Sequence, residues 1–171
     1  MHLFREKDVV RNNSISRYSA SKHIITPYVN IHHFVLMQNH FHFLLEQTND
    51  DGVSKFMQRL GNGYTLYFNK RHDRSGSLFQ STYQAQHIDS DEYFLQLVRY
   101  MCLNPMKLLY PNMQLRRHTD ISKAFKRLRT YPWSSYGLYL TDDECEHITK
   151  GKTMSFFNNQ DNFRHFVENI N

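Results

Sequence analysis

His40 and His42 stand two residues apart in the stretch VLMQNHFHFLLEQ. In an extended strand such a pair leaves the same face, about 6.6 Å apart along the chain. Two imidazoles so placed can reach one divalent cation. Neutral imidazole suits several such metals, but two ligands do not close a site, so a third must come from elsewhere in the fold. On spacing alone the plainer reading, two polar strand residues in a chain with 11 histidines, carries more weight.

A second pair lies downstream in EYFLQLVRYMCLNP, where Tyr100 and Asn104 are four residues apart. On a helix they point the same way and can face one cleft. A phenol there can act as a nucleophile. The chain has 11 tyrosines, however, and a ring bordering a buried helix face is usually packing. Asn104 precedes Pro105, so it serves equally well as a helix cap or as a ligand.

The elements that must position these groups follow from periodicity. Ile31–Met37 and His40–Gln47 are rich in aromatic and apolar residues and predict two successive strands. From Val53 to about His72, the recurrence of Val53, Phe56, Met57, Leu60, Tyr64 and Tyr67 predicts a helix with one buried face, weakened by Gly61 and Gly63. The alternation in Ser77–Ile88 predicts a third strand. Asp89 and Glu92 predict a capping box for the next helix. Phe94, Leu97, Val98 and Met101 form its buried stripe, and Pro105 ends it. Residues 110–129 read as basic and irregular, YPWSSYGLYL packs the single tryptophan, and Asn162–Ile170 has weak helical periodicity. The result is an α+β domain whose antiparallel sheet carries the His-x-His strand, flanked by helices.

Length and composition bound the rest. A chain of 171 residues suits a single domain over 1–171, with 110–171 as a C-terminal extension packed on the core. Its 40% hydrophobic and 15% aromatic residues are enough to build that core. No stretch approaches the roughly 20 apolar residues of a membrane span, and MHLFREKDVV lacks the apolar centre of a signal peptide. Cys102 and Cys145 have no partner at metal-knuckle spacing, which suits a reducing, cytoplasmic setting without membrane contact. A formal charge of +5 and a pI near 9.2 favour a polyanionic partner.

Taken together, VLMQNHFHFLLEQ, RSGSLFQSTYQ, EYFLQLVRYMCLNP and YPWSSY resemble, in order and spacing, the single-tyrosine HUH transposases of bacterial insertion sequences, most of all the REP-associated tyrosine transposase branch. The resemblance spans roughly Ile31 to Tyr139, and the final helix is similar to the way members of that branch end. It implies a ferredoxin-like core, with His40 and His42 binding Mg2+ or Mn2+, Asn104 as third ligand and Tyr100 as the nucleophile that forms a 5′-phosphotyrosine. The implied substrate is single-stranded or hairpin DNA, including REP-like repeats. Cationic contacts and rings for stacking would hold it. Tyr64, Tyr67, Lys70, Arg71 and Arg74 form one candidate cluster for that role; Arg116, Arg117, Lys123, Lys126, Arg127 and Arg129 form another. For any single Lys or Arg a solvated surface role is the simpler reading.

Three departures bear on activity. Gln38 stands where the resemblance leads one to expect proline, and Thr82 where a basic residue commonly follows the Phe-Gln step. The start looks shortened, which implies loss of a first strand. An unpaired sheet edge invites association, so a homodimer is one assembly open to the chain. A DNA-hairpin-binding protein that has lost catalysis is therefore the alternative to an active enzyme, and a metal hydrolase unrelated to DNA ranks third.

Overall fold

The computed structural model describes residues 27–110 and 118–169, with side chains in the second span from residue 121 onward. The expected loss of a first strand, and Arg116, Arg117 and Ile170, lie outside the described residues.

Strand β1 (Val29–Leu36) and strand β2 (Phe41–Gln47) pair as an antiparallel hairpin. Val35 faces His42, Phe34 faces Phe43 and Leu36 faces Phe41 in the register. The turn closes with Met37 N–H donating to the His40 carbonyl at 2.8 Å. His40 is thus the residue before β2 rather than part of it. Directly opposed residues share a face, so Val35, His42 and Leu44 look one way while Phe34, Phe41 and Phe43 look the other. A bulge between Ile31 and His33 breaks this alternation. Consecutive residues His32 and His33 are consequently both buried.

The outer edge of β1 is closed by residues far along the chain. Leu36 N–H donates to the Trp133 carbonyl at 2.7 Å, Ser135 N–H to Phe34 at 3.0 Å and Thr149 N–H to Ile31 at 2.8 Å. Val35 and Ser134 form an isolated antiparallel bridge. The YPWSSY segment thus supplies hydrogen-bond partners that a neighbouring strand would otherwise provide.

Helix α1 (Gly52–Arg71) follows the hairpin. Its first turns rest on the sheet, with Phe56 against Phe43 at 5.8 Å between ring centroids. A Cβ at Gly52 would run into the Tyr28 carbonyl oxygen, so a glycine is needed at this close approach. The buried face expected along the whole helix does not extend that far: Val53, Phe56 and Met57 are partly buried, whereas Leu60, Tyr64 and Tyr67 are exposed. A helix of 20 residues is about 30 Å long, and among the described residues it outruns the two strands beneath it.

Residues 77–88, expected as a third strand, form no strand. They run as exposed chain in which only Leu78 and Ile88 are partly buried. Side chains rather than a backbone ladder anchor them: Phe79 packs on Phe41 at 5.9 Å, and the Tyr83 hydroxyl meets Ser54 Oγ at 3.0 Å.

Helix α2 (Asp91–Leu103) begins at Ser90, whose side chain accepts from Tyr93 N–H at 3.3 Å. The N-cap is therefore Ser90, and the expected Asp89–Glu92 box does not form; Asp91 and Glu92 instead place negative charge in the first turn, where the helix dipole favours it. Pro105 follows the C-cap and opens the short helix α3 (Met106–Leu109). Residues 118–129, expected to be irregular, form helix α4 (His118–Arg129). Ile121, Ala124, Phe125 and Leu128 give α4 an apolar stripe that its many cations obscured in the sequence. A 3-10 helix (Tyr136–Leu140), helix α5 (Gly151–Met154) and helix α6 (Gln160–Glu168) complete the order.

One core joins these parts. Val35 and Leu44 from the hairpin, Phe94, Val98 and Met101 from α2, and Phe125, Leu128, Tyr136, Tyr139, Phe163 and Val167 from the C-terminal part pack together. Among the described residues the architecture is α+β, with a two-stranded antiparallel sheet flanked by helices. No helix among them is long and apolar enough to cross a membrane.

Candidate functional site

The hairpin turn and β2 bring the two histidines together. His40 is exposed at the turn and His42 is half-buried on the α2 face. Their ring centroids are 5.1 Å apart, with planes at 81°. Asn39 Oδ1 lies 2.7 Å from His40 Nδ1. A carboxamide oxygen can only accept, so His40 Nδ1 donates in this bond, and the neutral tautomer with that proton has its lone pair on Nε2. His42 Nε2 is buried and has no hydrogen-bond partner among the described residues. Burial first, and His40 second, lower the pKa of His42, which keeps its imidazole in the neutral, ligating form.

Helix α2 brings up the tyrosine. Val98 and Met101 lock the helix against the sheet, and Tyr100 emerges at the border of that contact with 52% of its surface exposed. Its ring stands edge-on to His42 at 5.7 Å, with planes at 76°. Asn104 occupies the C-cap one turn later. Its backbone N–H donates to the Tyr100 carbonyl at 2.9 Å, and among the described residues its side chain makes no hydrogen bond. The carboxamide is thus not consumed by the cap.

These residues fit a divalent ion. An orphaned imidazole nitrogen on His42 sits beside a second imidazole whose Nε2 is available. Among the described residues no group of three or more His, Cys, Asp or Glu side chains is placed to hold a metal. A third protein donor would have to be an amide oxygen, and Asn104 is the one on the Tyr100 face of α2.

The candidate binding clusters are placed differently. Tyr64 and Tyr67 are exposed on α1, and Lys70 and Arg71 lie in its last turn. Arg74 sits over the Phe68 ring at 5.6 Å and donates to the Ser77 carbonyl at 3.2 Å. This cluster lies across the sheet from His42 and does not join Tyr100. On α4, Lys123 and Lys126 are exposed, and Arg127 lies over Tyr110 at 5.4 Å. Arg129 is engaged by Glu168 through Nε at 2.6 Å and Nη2 at 2.5 Å.

Sequence reasoning missed Asn39, because an Asn between two strands reads as a turn former. It also missed the aromatic contact between Phe41 and Phe79, which depends on how the coil 77–88 folds back.

A family model described as Transposase IS200 like matches residues 7–102, more than half of the 171-residue chain. No curated protein and no solved structure matches it. The matched span contains the hairpin with His40 and His42 and ends just after Tyr100, so the residues that meet at the α2 face all lie within it. On that extent of match, this chain belongs to the IS200-like transposase family.

Proposed function

We propose that this transposase-family protein cuts and rejoins single-stranded or hairpin DNA through Tyr100, with His40 and His42 holding Mg2+ or Mn2+ and Asn104 as a third ligand. The observation that carries this reading is the Tyr100 ring, exposed and 5.7 Å from His42, which in turn stands 5.1 Å from His40.

In the reaction the Tyr100 oxygen attacks the scissile phosphorus. The new bond joins that oxygen to phosphorus, and the bond from phosphorus to the 3′ oxygen breaks. The phenolic proton leaves to solvent or a nearby base, and the departing 3′ oxygen gains one. The phosphodiester energy is kept in the 5′-phosphotyrosine, so rejoining needs no nucleotide cofactor. A bound divalent ion would offset charge on the phosphate oxygens and orient them. His40 is aimed by Asn39, His42 is kept neutral by burial, and α2 holds the phenol beside them.

The test is a hairpin with single-stranded flanks, labelled at either end and incubated with Mn2+. The 3′ label should become covalently attached to protein while the 5′ label is released. Chelator or Tyr100→Phe should abolish the adduct. Equal adduct from Tyr100→Phe would refute the assignment. A REP-like hairpin is the first substrate to try, following the resemblance to the REP-associated branch.

A second reading is a hairpin-binding protein without catalysis. It is favoured by Thr82, a residue without positive charge in an exposed coil where a phosphate contact was expected. It predicts salt-sensitive hairpin binding and no adduct with either label.

A further inference from the structure

Across the sheet from Tyr100 lies a second surface that the cutting chemistry does not use. Phe41 points away from His42, because neighbours in a strand face opposite ways. Phe79 stands edge-on to Phe41 at 5.9 Å and 6.3 Å from Tyr64, with the Phe79 and Tyr64 planes only 37° apart. Tyr83 is pinned to α1 through Ser54 Oγ at 3.0 Å. Tyr64, Phe79 and Tyr83 are 43%, 38% and 41% exposed. Phe41, Phe79 and Tyr64 thus form a continuous chain of ring contacts, while Tyr83 lies toward the start of the same helix; contiguous exposed apolar surface is more often an interaction site than singly scattered rings are.

The charge around the rings narrows the occupant. Helix α1 carries Lys55, Arg59, Lys70 and Arg71 and no acidic residue, and Arg74 follows it. A fitting partner is a polyanion that also offers flat apolar faces. Duplex DNA has the charge but hides its base faces in the stack, whereas an unpaired strand presents both.

We propose that Tyr64 and Phe79, with the basic end of α1, form a stacking platform for unpaired bases of a single-stranded DNA segment, on the sheet face opposite Tyr100. The choice of DNA rests on the function proposed above; the choice of an unpaired strand rests on the rings. The two surfaces meet at the hairpin turn, where His40 and Phe41 are adjacent. A strand held by both must pass around the open side of β2, which pairs with no further strand among the described residues.

The full chain is titrated with a labelled single-stranded oligonucleotide, its duplex and an RNA of the same sequence, at fixed ionic strength. Tyr64→Leu and Phe79→Leu should each weaken single-strand binding by about tenfold or more, with little change for duplex, and Tyr64→Phe should bind as wild type. The titrations are run with chelator present, so that no cutting occurs, and failure of the cutting assignment and failure of the platform read out separately. An oligonucleotide carrying photoreactive thymidines tests the wild-type protein without any variant, and its adducts should map to peptides containing residues 64 or 79. The proposal is overturned if both Leu variants bind the single strand as wild type does. It is equally overturned if RNA binds more tightly than DNA, if crosslinks fall only elsewhere, or if sedimentation shows this face buried in a dimer that the Leu variants dissociate.

Discussion

The Tyr100 ring stands edge-on to the His42 imidazole at 5.7 Å, so a phenol from a helix and an imidazole from a strand lie side by side. Among the described residues His42 Nε2 has no hydrogen-bond partner, which leaves it open to a ligand. The consequences can be measured on metal binding as well as on DNA.

His42→Gln or His40→Gln should weaken Mn2+ binding, followed by electron paramagnetic resonance of free Mn2+, by at least tenfold. Asn39→Ala removes only the group that sets the His40 tautomer and should cost roughly 10–100-fold in affinity, as outer-shell partners commonly do. If Mn2+ binds equally to wild type and His42→Gln, the histidine pair is not the metal site.

His33 provides a pH signature of the fold. It is buried between Ser135 Oγ at 3.2 Å and Thr153 Oγ1 at 3.1 Å and stacks on Tyr139 at 4.3 Å. Burial first, and the neighbouring His32 second, lower its pKa from 6.5 to about 3. Between those values the unfolded chain binds a proton that the folded chain does not. The stability is complete above pH 6.5 and drains as pH falls toward 3, on the order of 1 kcal/mol per pH unit from this group. Urea midpoints between pH 7 and 4.5 should fall more steeply in wild type than in His33→Gln; parallel slopes would contradict the assignment.

Gly61 and Gly63 lie inside α1, and a Cβ at either position would meet nothing within 4 Å. Replacing each with Ala should stabilise the protein by roughly 0.8–1.0 kcal/mol through helix propensity alone. Thermal unfolding should show a rise of a few degrees per substitution. A fall at both positions would mean that this stretch of α1 is not helical in solution.

Two ion pairs on α6 should behave differently. Glu168, mostly buried, takes two bonds from Arg129 and one from the Tyr136 hydroxyl at 2.8 Å. Glu168→Ala leaves both partners unsatisfied and should cost on the order of 2 kcal/mol, reduced somewhat because Arg129 is partly solvated. Asp161 and Arg164 pair at 2.9 Å in the open, and Asp161→Asn should shift the denaturation midpoint by little or nothing. Equal losses from the two substitutions would be inconsistent with this difference in burial.

What could be read from the sequence was whatever depends on local spacing. The hairpin, α1 and α2 lie within a residue or two of their expected limits, because apolar recurrence and Pro105 are local signals. The four-residue spacing of Tyr100 and Asn104 is local too, but among 11 tyrosines it singled out neither residue; only the resemblance did. Residues 77–88 were misread since alternation describes a strand only if another backbone is there to pair with it, and a sequence does not display its partners. Helix α4 was hidden by composition, as its Lys and Arg residues are as many as the apolar residues that define its buried stripe and are interleaved with them. The bulge that buries both His32 and His33 came from pairing register, which no single segment encodes.

The closing of β1 by Trp133, Ser135 and Thr149 bears on how this protein can be divided. The family match stops at residue 102, yet the groups that complete the hairpin arrive from thirty to nearly fifty residues later. A fragment trimmed at the family boundary would expose a row of thirsty amides and carbonyls, ready to recruit any passing strand. The tail therefore caps the hairpin's edge, and a chain truncated at residue 102 should be prone to self-association.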